Sequence, residues 1–189
     1  MPKFAAGVVK FQQEVFPGNA GLFEKLAQGQ APEALFITCS DSRIETGGTT
    51  AAIEYACIAL NVPHIVICGH TQCGAMHLEG LDGLPHVKQW LSYARSAVEI
   101  TNELGKDLDE RARGLMLLQQ NVILQLTHLR THPAVAVRLA RGDLRLHGWV
   151  CDIVGGEVTA WDEAANSFEP VSERYAAEVA KHLALHSHT

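Results

Sequence analysis

Two short apolar segments constrain the fold of this chain more than any other feature of its sequence. Ala34–Thr38 (ALFIT) and His64–Cys68 (HIVIC) lack the polar alternation of a strand that is half exposed to water. Uninterrupted runs of this length are typical of strands that are covered on both faces of a parallel sheet. Helical patterns separate and follow the two runs. The sequence therefore predicts an α/β fold with a central, mostly parallel β-sheet flanked by helices.

The spacing of apolar residues predicts the remaining elements. Phe4, Val8, Phe11 and Val15 recur every three or four residues, which predicts an amphipathic helix over Phe4–Phe16 that ends at Pro17-Gly18. Together with a short helix over Ala20–Gln28 it would form an N-terminal helical arm, residues 1–30, of a single domain spanning residues 1–189. Further helices are expected at Thr49–Leu60, Trp90–Gly105, Leu108–Thr131, from Pro133 and at Ser172–Leu185, and a hairpin of Leu146–Val154 and Val158–Trp161 turning at Gly155-Gly156.

Composition excludes several classes of function. The net charge of −6 argues against a general electrostatic grip on nucleic acid or on an anionic membrane surface. No apolar run approaches the ~20 residues of a membrane span. Five cysteines, an odd number without regular spacing, fit a reducing compartment, so we expect a cytoplasmic protein. Three of them, Cys57, Cys68 and Cys151, are expected to be buried thiols.

Chemically active residues directly follow both predicted parallel strands. Cys39 comes after the first strand, and Gly69-His70-Thr71-Gln72-Cys73-Gly74 comes after the second. Because ligand sites in such sheets favour the carboxyl ends of the strands, Cys39, His70 and Cys73 can converge there. Two thiolates and one imidazole suit Zn²⁺ and leave a fourth position open. The flanking glycines, Gly69 and Gly74, are expected where the backbone bends sharply or approaches another segment closely.

Asp41 and Arg43 lie beside the first of these cysteines and can pair through the guanidinium fork. A cysteine-based phosphatase is the rival interpretation, with Cys39 as nucleophile and Arg43 holding phosphate. Such a loop needs five residues between cysteine and arginine to cradle the anion, and here three intervene.

Four segments in this order resemble the β-class carbonic anhydrases: CSDSR, GGTTAAIEYA, HIVICGHTQCGAM and GDLRLHGW. The resemblance implies that Cys39, His70 and Cys73 bind Zn²⁺ and that Asp41 and Arg43 form the catalytic dyad. Asp41 is a possible fourth zinc ligand in a closed state. It further implies a zinc lyase that converts CO₂ to bicarbonate and a proton, and a homodimer or higher homo-oligomer.

One departure from the family lies between Ile44 and Glu45. Relatives carry here an additional core strand with its loops, on the order of 30 residues, which helps to line the substrate cleft. With the motifs on both sides intact, we expect Ile44 and Glu45 not to be bonded neighbours, which a Cα–Cα separation well beyond ~3.8 Å would reveal. If the deletion is real, two alternatives gain weight. One is hydrolysis of carbonyl sulfide or carbon disulfide at the same zinc, and the other is a catalytically silent zinc-binding homologue.

Overall fold

A five-stranded mixed sheet organises the main body of the protein. The computed structural model describes residues 8–28, 31–38, 46–74 and 83–186. The first three strands run parallel and the last two join them antiparallel, in the order β1-β2-β3-β4-β5. The α/β prediction is confirmed, with one strand, β5, that the sequence analysis did not foresee. The strands are β1 Ala34–Thr38, β2 His64–His70, β3 Arg145–Cys151, β4 Val158–Asp162 and β5 Ser167–Pro170.

The helices follow from recognisable local signals. The Asp109 side chain accepts a hydrogen bond from the Ala112 amide (2.8 Å) and caps the longest helix. Pro133 begins the next one, and Gly142 ends it in the left-handed conformation, φ 74°. The described helices are α1 Phe16–Gln28, α2 Thr46–Ile58, α3 Pro85–Leu91, α4 Arg95–Leu104, α5 Glu110–Thr131, α6 Pro133–Arg141, α7 Val171–Arg174 and α8 Ala176–His186.

The hydrophobic core lies on one face of the sheet, between the strands and helices α2, α5 and α6. The alternating residues of β2 and β3 that face these helices are buried together with apolar side chains of each helix. Gly148 of β3 shows how closely α5 packs. A Cβ there would lie 2.8 Å from side-chain atoms of both Val122 and Leu126. Only glycine fits at this crossing, and the close packing fixes β3 beside β2, where the candidate site begins.

Several sequence-based element boundaries are corrected by the structure. The helix expected at Trp90–Gly105 begins earlier, as α3, and is interrupted by a 3₁₀ turn at Ser92–Ala94. There the Ser92 hydroxyl donates to the Gln89 carbonyl and competes with the helical ladder. The C-terminal helix divides at Tyr175, whose backbone leaves the helical region.

Strand β1 is not covered on both faces, contrary to the sequence prediction. Among the described strands it has a neighbour on one side only. Phe36 at its centre is 50% exposed and contacts Trp149 edge-on at 5.9 Å between ring centroids. An apolar run of this kind predicts a buried strand, but an edge strand can have the same composition, so the run alone does not distinguish the two.

The chain divides into two compact units, the N-terminal Met1–Pro32 and the main unit Glu33–Thr189. Residues 8–28 are helical throughout, so the prediction that Pro17-Gly18 ends the first helix is wrong. A π-helical turn at Phe11–Val15 precedes α1. This wider turn accommodates Pro17, which has no amide hydrogen to donate, and the Asn19 side chain donates to the Val15 carbonyl (2.8 Å).

Some expectations fall on residues that are not described. They concern Cys39, Asp41 and Arg43, and also the junction of Ile44 with Glu45. None of the described helices has the length and hydrophobicity that crossing a membrane requires.

Candidate metal centre

His70 occupies the carboxyl end of β2. The strand was predicted to end at Cys68 but continues for two more residues, because its ladder with β3 extends until His70 lies opposite Cys151. The Thr71 amide then donates to the Cys151 carbonyl at 2.9 Å. The imidazole therefore projects from a backbone that is fixed on the β3 side.

The orientation of the His70 ring is set by one hydrogen bond. Its Nδ1 lies 2.8 Å from the Thr71 carbonyl oxygen, which can only accept, so Nδ1 carries the hydrogen. The neutral ring then has its lone pair on Nε2. Metal-binding histidines are typically held in this way, with the other nitrogen hydrogen-bonded to a carbonyl or carboxylate.

Cys73 lies three residues further along and is only 5% exposed. Between it and His70, Gln72 adopts φ 56°, a left-handed conformation that is uncommon for a residue other than glycine. An imidazole nitrogen and a thiol sulfur on one short turn are donors that Zn²⁺ accepts, so the described part of the site fits the metal. The third predicted ligand, Cys39, and the dyad of Asp41 and Arg43 lie outside the described residues. Within the described ranges, no three Cys, His, Asp or Glu side chains come together as a metal site.

The two glycines that flank this turn differ in their roles. A Cβ at Gly69 would lie 3.1 Å from the Val122 side chain, so this glycine permits a close approach of β2 to α5. At Gly74 a Cβ would meet nothing within 4 Å, and no close approach explains this glycine.

Thr71 and Asp152 form a contact that the sequence analysis missed. The Thr71 hydroxyl donates to Asp152 Oδ1 at 2.7 Å and accepts from the Ile153 amide at 3.1 Å. The Thr71 hydroxyl and the Gly155 amide hold the pKa of Asp152 below its ordinary value. Because the two residues are 81 positions apart, no local pattern could have paired them.

A second polar cluster lies on the sheet face opposite α5, at the amino-terminal end of β2. His147 Nε2 lies 3.0 Å from His64 Nδ1, and His147 Nδ1 lies 2.9 Å from the Tyr175 hydroxyl. Trp149 Nε1 donates to the same hydroxyl at 3.3 Å. His147 and Trp149 were expected to serve packing, and their hydrogen bonds add a polar network to that role.

The pKa of His147 is lowered from 6.5 to about 4, chiefly by burial and also by the charges of His64, Arg145 and Arg174. In one neutral tautomer of His147, both contacts of the ring are hydrogen bonds. The Tyr175 hydroxyl donates to His147 Nδ1, and the protonated Nε2 of His147 donates to His64 Nδ1. A second proton on His147 would leave the Tyr175 hydroxyl without its acceptor.

The other cysteines match their expected roles in part. Cys57 is 1% exposed, and burial raises the pKa of its thiol. Cys68 and Cys151 are only partly buried, although both were expected to be buried.

Comparison with known proteins places this architecture in a family. The family model described as carbonic anhydrase matches residues 45–158. Carbonic anhydrase 1 of Escherichia coli O157:H7 is 39% identical, and the match covers 91% of this chain and 93% of that protein. That alignment has 204 positions, to which this chain contributes about 172 residues (91% of 189), so about 32 positions have no counterpart here.

Solved structures agree with the sequence match. The β-carbonic anhydrase CcaA superposes with a TM-score of 0.82 at 34% identity, covering 90% of this chain and 98% of that one. Tetrameric β-carbonic anhydrases of Sordaria macrospora give a TM-score of 0.62 at 30% identity, covering 84% and 92%. The mixed sheet is thus that of a known enzyme family, and this chain belongs to the β-class carbonic anhydrases.

Proposed function

We propose that this carbonic anhydrase binds one zinc ion through Cys39, His70 and Cys73 and reversibly hydrates CO₂ to bicarbonate and a proton. One observation carries the proposal. The His70 ring is locked through Nδ1, which leaves Nε2 available, and the buried Cys73 thiol follows on the same strand-end turn. Zinc bound by such a set supplies a hydroxide nucleophile near neutral pH, because it lowers the pKa of water to roughly 7.

The protein's own residues then determine orientation. His70 and Cys73 provide a neutral and an anionic donor from one rigid turn, and Cys39 provides the second thiolate. With zinc bound, Asp41 would accept a hydrogen bond from the hydroxide and so orient that oxygen toward the CO₂ carbon. The role proposed for Arg43 is to pair with the Asp41 carboxylate through its guanidinium fork, which would keep that carboxylate from becoming a zinc ligand.

We further propose that the enzyme acts as a homo-oligomer. The related enzymes of Sordaria macrospora are described as tetrameric. In this chain the helical residues 8–28 expose several apolar side chains, among them Val8, Phe11, Val15, Phe16, Leu22 and Phe23. A group of exposed apolar side chains of this size is typical of a surface that a partner covers.

The decisive experiment combines metal analysis with stopped-flow CO₂ hydration. His70→Ala and Cys73→Ser should reduce bound zinc from about one per chain to near zero and should abolish hydration, because two protein ligands hold zinc too weakly. His128→Ala and Cys68→Ser are the matched controls. The first replaces an exposed histidine of α5, and the second a half-buried thiol of β2. Both controls should keep the metal.

Two results would contradict the proposal. Stoichiometric zinc in His70→Ala and Cys73→Ser would show that the ligands lie elsewhere. A zinc-loaded wild-type enzyme that hydrolyses carbonyl sulfide or carbon disulfide but leaves CO₂ unchanged would reassign the substrate.

A further inference from the structure

The turn that joins the two described zinc ligands holds an unfavourable backbone conformation. Gln72 has φ 56°, and a left-handed conformation of a non-glycine residue costs on the order of 1 kcal/mol. Such a conformation persists only when neighbouring contacts enforce it. His70 and Cys73 lie on either side of Gln72, so the relative placement of their donor atoms depends on what holds this turn.

Thr71 is the residue through which the turn is held. Its amide donates to the Cys151 carbonyl (2.9 Å), its hydroxyl donates to Asp152 Oδ1 (2.7 Å), and its hydroxyl oxygen accepts from the Ile153 amide (3.1 Å). Its carbonyl in turn accepts from His70 Nδ1 (2.8 Å). One residue thus links the imidazole to the β3–β4 hairpin.

Asp152 is itself held firmly within that hairpin. Its amide donates to the Glu157 carbonyl and its carbonyl accepts from the Gly156 amide, each at 2.8 Å. Its second carboxylate oxygen accepts from the Gly155 amide at 3.0 Å. The carboxylate is therefore a fixed acceptor, and the Thr71 hydroxyl is its only side-chain donor among the described residues.

We propose that the hydrogen bond from Thr71 to Asp152 positions the His70–Cys73 turn for zinc, which makes both residues positioning residues of the metal centre. The inference rests on the proposed zinc function. Contacts of this kind, one step removed from a metal ligand, typically change metal affinity or activity by 10- to 100-fold when they are removed.

The test measures zinc affinity by chelator competition, together with the visible spectrum of the cobalt(II)-substituted enzyme. Thr71→Val keeps the shape of the side chain and removes the hydroxyl, and Thr71→Ser restores the hydroxyl without the methyl group. Thr71→Val should weaken zinc binding by about 10- to 100-fold and should alter the cobalt ligand-field bands. Thr71→Ser should recover most of the affinity.

A double-mutant cycle tests the partner. Asp152→Ala should weaken zinc binding about as much as Thr71→Val, and the double variant should lose little more, because both changes break one contact. Asp162→Ala is the matched control. Asp162 likewise accepts from backbone amides in the next hairpin turn, those of Ala164 and Ala165, without a contact to the His70–Cys73 turn. It should leave the affinity and the cobalt spectrum unchanged.

The outcomes separate the two proposals. If wild type binds no zinc, the proposed function fails first. If wild type binds zinc but Thr71→Val has wild-type affinity and spectrum, only the positioning role is overturned. Equal losses in Thr71→Val and Thr71→Ser would also overturn it, since the hydroxyl would not be the cause. Should Asp152→Ala fail to fold, the two Thr71 variants carry the test alone.

Discussion

At the scale of single residues, the sequence predicted candidate ligands but not the contacts that support them. His70 and Cys73 were predicted as zinc ligands from residue type and from their place after a predicted strand. His70 ends β2 and Cys73 follows three residues later, and their role as ligands stays a prediction. Thr71, by contrast, gave no signal, because its partner Asp152 approaches only through pairing of β2 with β3. Local spacing can predict a candidate ligand, whereas the contacts that support it depend on residues distant in sequence.

The His64–His147–Tyr175 network predicts a loss of stability at low pH. His147 has a pKa of about 4 in the folded protein and 6.5 in the unfolded chain, so only the unfolded chain takes up a proton at this site between these values. This contribution to stability is complete above about pH 6.5 and declines as the pH falls toward 4. Because His147 is half-buried, this difference in pKa should contribute up to about 3 kcal/mol to the free energy of unfolding at neutral pH.

Urea unfolding at a series of pH values between 4 and 7.5 measures this loss. His147→Gln removes the titrating group and should flatten the pH dependence over that range, whatever its stability at neutral pH. His128→Gln, at an exposed histidine of α5, should retain the wild-type slope. A His147→Gln profile parallel to wild type would refute the assignment.

At the scale of secondary-structure elements, the sequence predicted whether a segment is helix or strand better than it predicted which elements lie beside each other. Helix α6 and the β3–β4 hairpin appear where proline, glycine and periodicity placed them. The exposure of β1 was predicted wrongly because composition reports hydrophobicity and does not report which strand lies beside which. Strand β5 is only four residues long and was missed because it carries too few residues for a period-2 pattern.

Helix α5 and strand β3 contain two glycines at which substitution by alanine should change the free energy of unfolding in opposite directions. Gly148→Ala would place a Cβ 2.8 Å from Val122 and Leu126 atoms, so overpacking should lower the free energy of unfolding by about 1–3 kcal/mol. Gly114 lies within α5 and a Cβ there would meet nothing within 4 Å. Gly114→Ala should raise the free energy of unfolding by about 0.5–1 kcal/mol, since alanine favours helix. Urea denaturation of both variants decides the matter, and equal shifts would contradict the packing argument.

At the scale of the whole molecule, two surfaces of the described residues bear on assembly. Phe11, Phe16 and Phe23 of the N-terminal unit contact one another with ring centroids 5.1–6.1 Å apart, and each remains 40% exposed. The other surface is the outer edge of β1. Neither can be explained by the sequence of one subunit, because each depends on what lies beside it.

The phenylalanine cluster predicts a homo-oligomer that depends on this surface. Light scattering at micromolar concentration should give the mass of a dimer or larger. Phe16→Ser combined with Phe23→Ser should shift the mass toward the monomer, because it removes apolar area from the proposed contact. Leu104→Ser, at an exposed apolar residue at the end of α4, is the matched control and should leave the assembly intact. A monomeric wild-type protein would disprove the prediction.

The open edge of β1 leads to the prediction about the junction of Ile44 with Glu45. An exposed strand edge with a half-exposed phenylalanine favours unwanted pairing, and natural sheets generally cover such edges. The relative from Escherichia coli O157:H7 has about 32 aligned positions that this chain lacks, and the family match begins at residue 45. The predicted zinc ligands on both sides of the junction are nevertheless retained.

We therefore expect the protein in its source cell to carry a further strand between Ile44 and Glu45 and to exceed 20.5 kDa by intact mass. Trypsin cleaves after Arg43, so a tryptic peptide that begins Ile44-Glu45-Thr46 would show instead that the two segments are directly joined. In that case we expect a substrate cleft altered from that of the family, and hydration of CO₂ should be tested against hydrolysis of carbonyl sulfide and carbon disulfide.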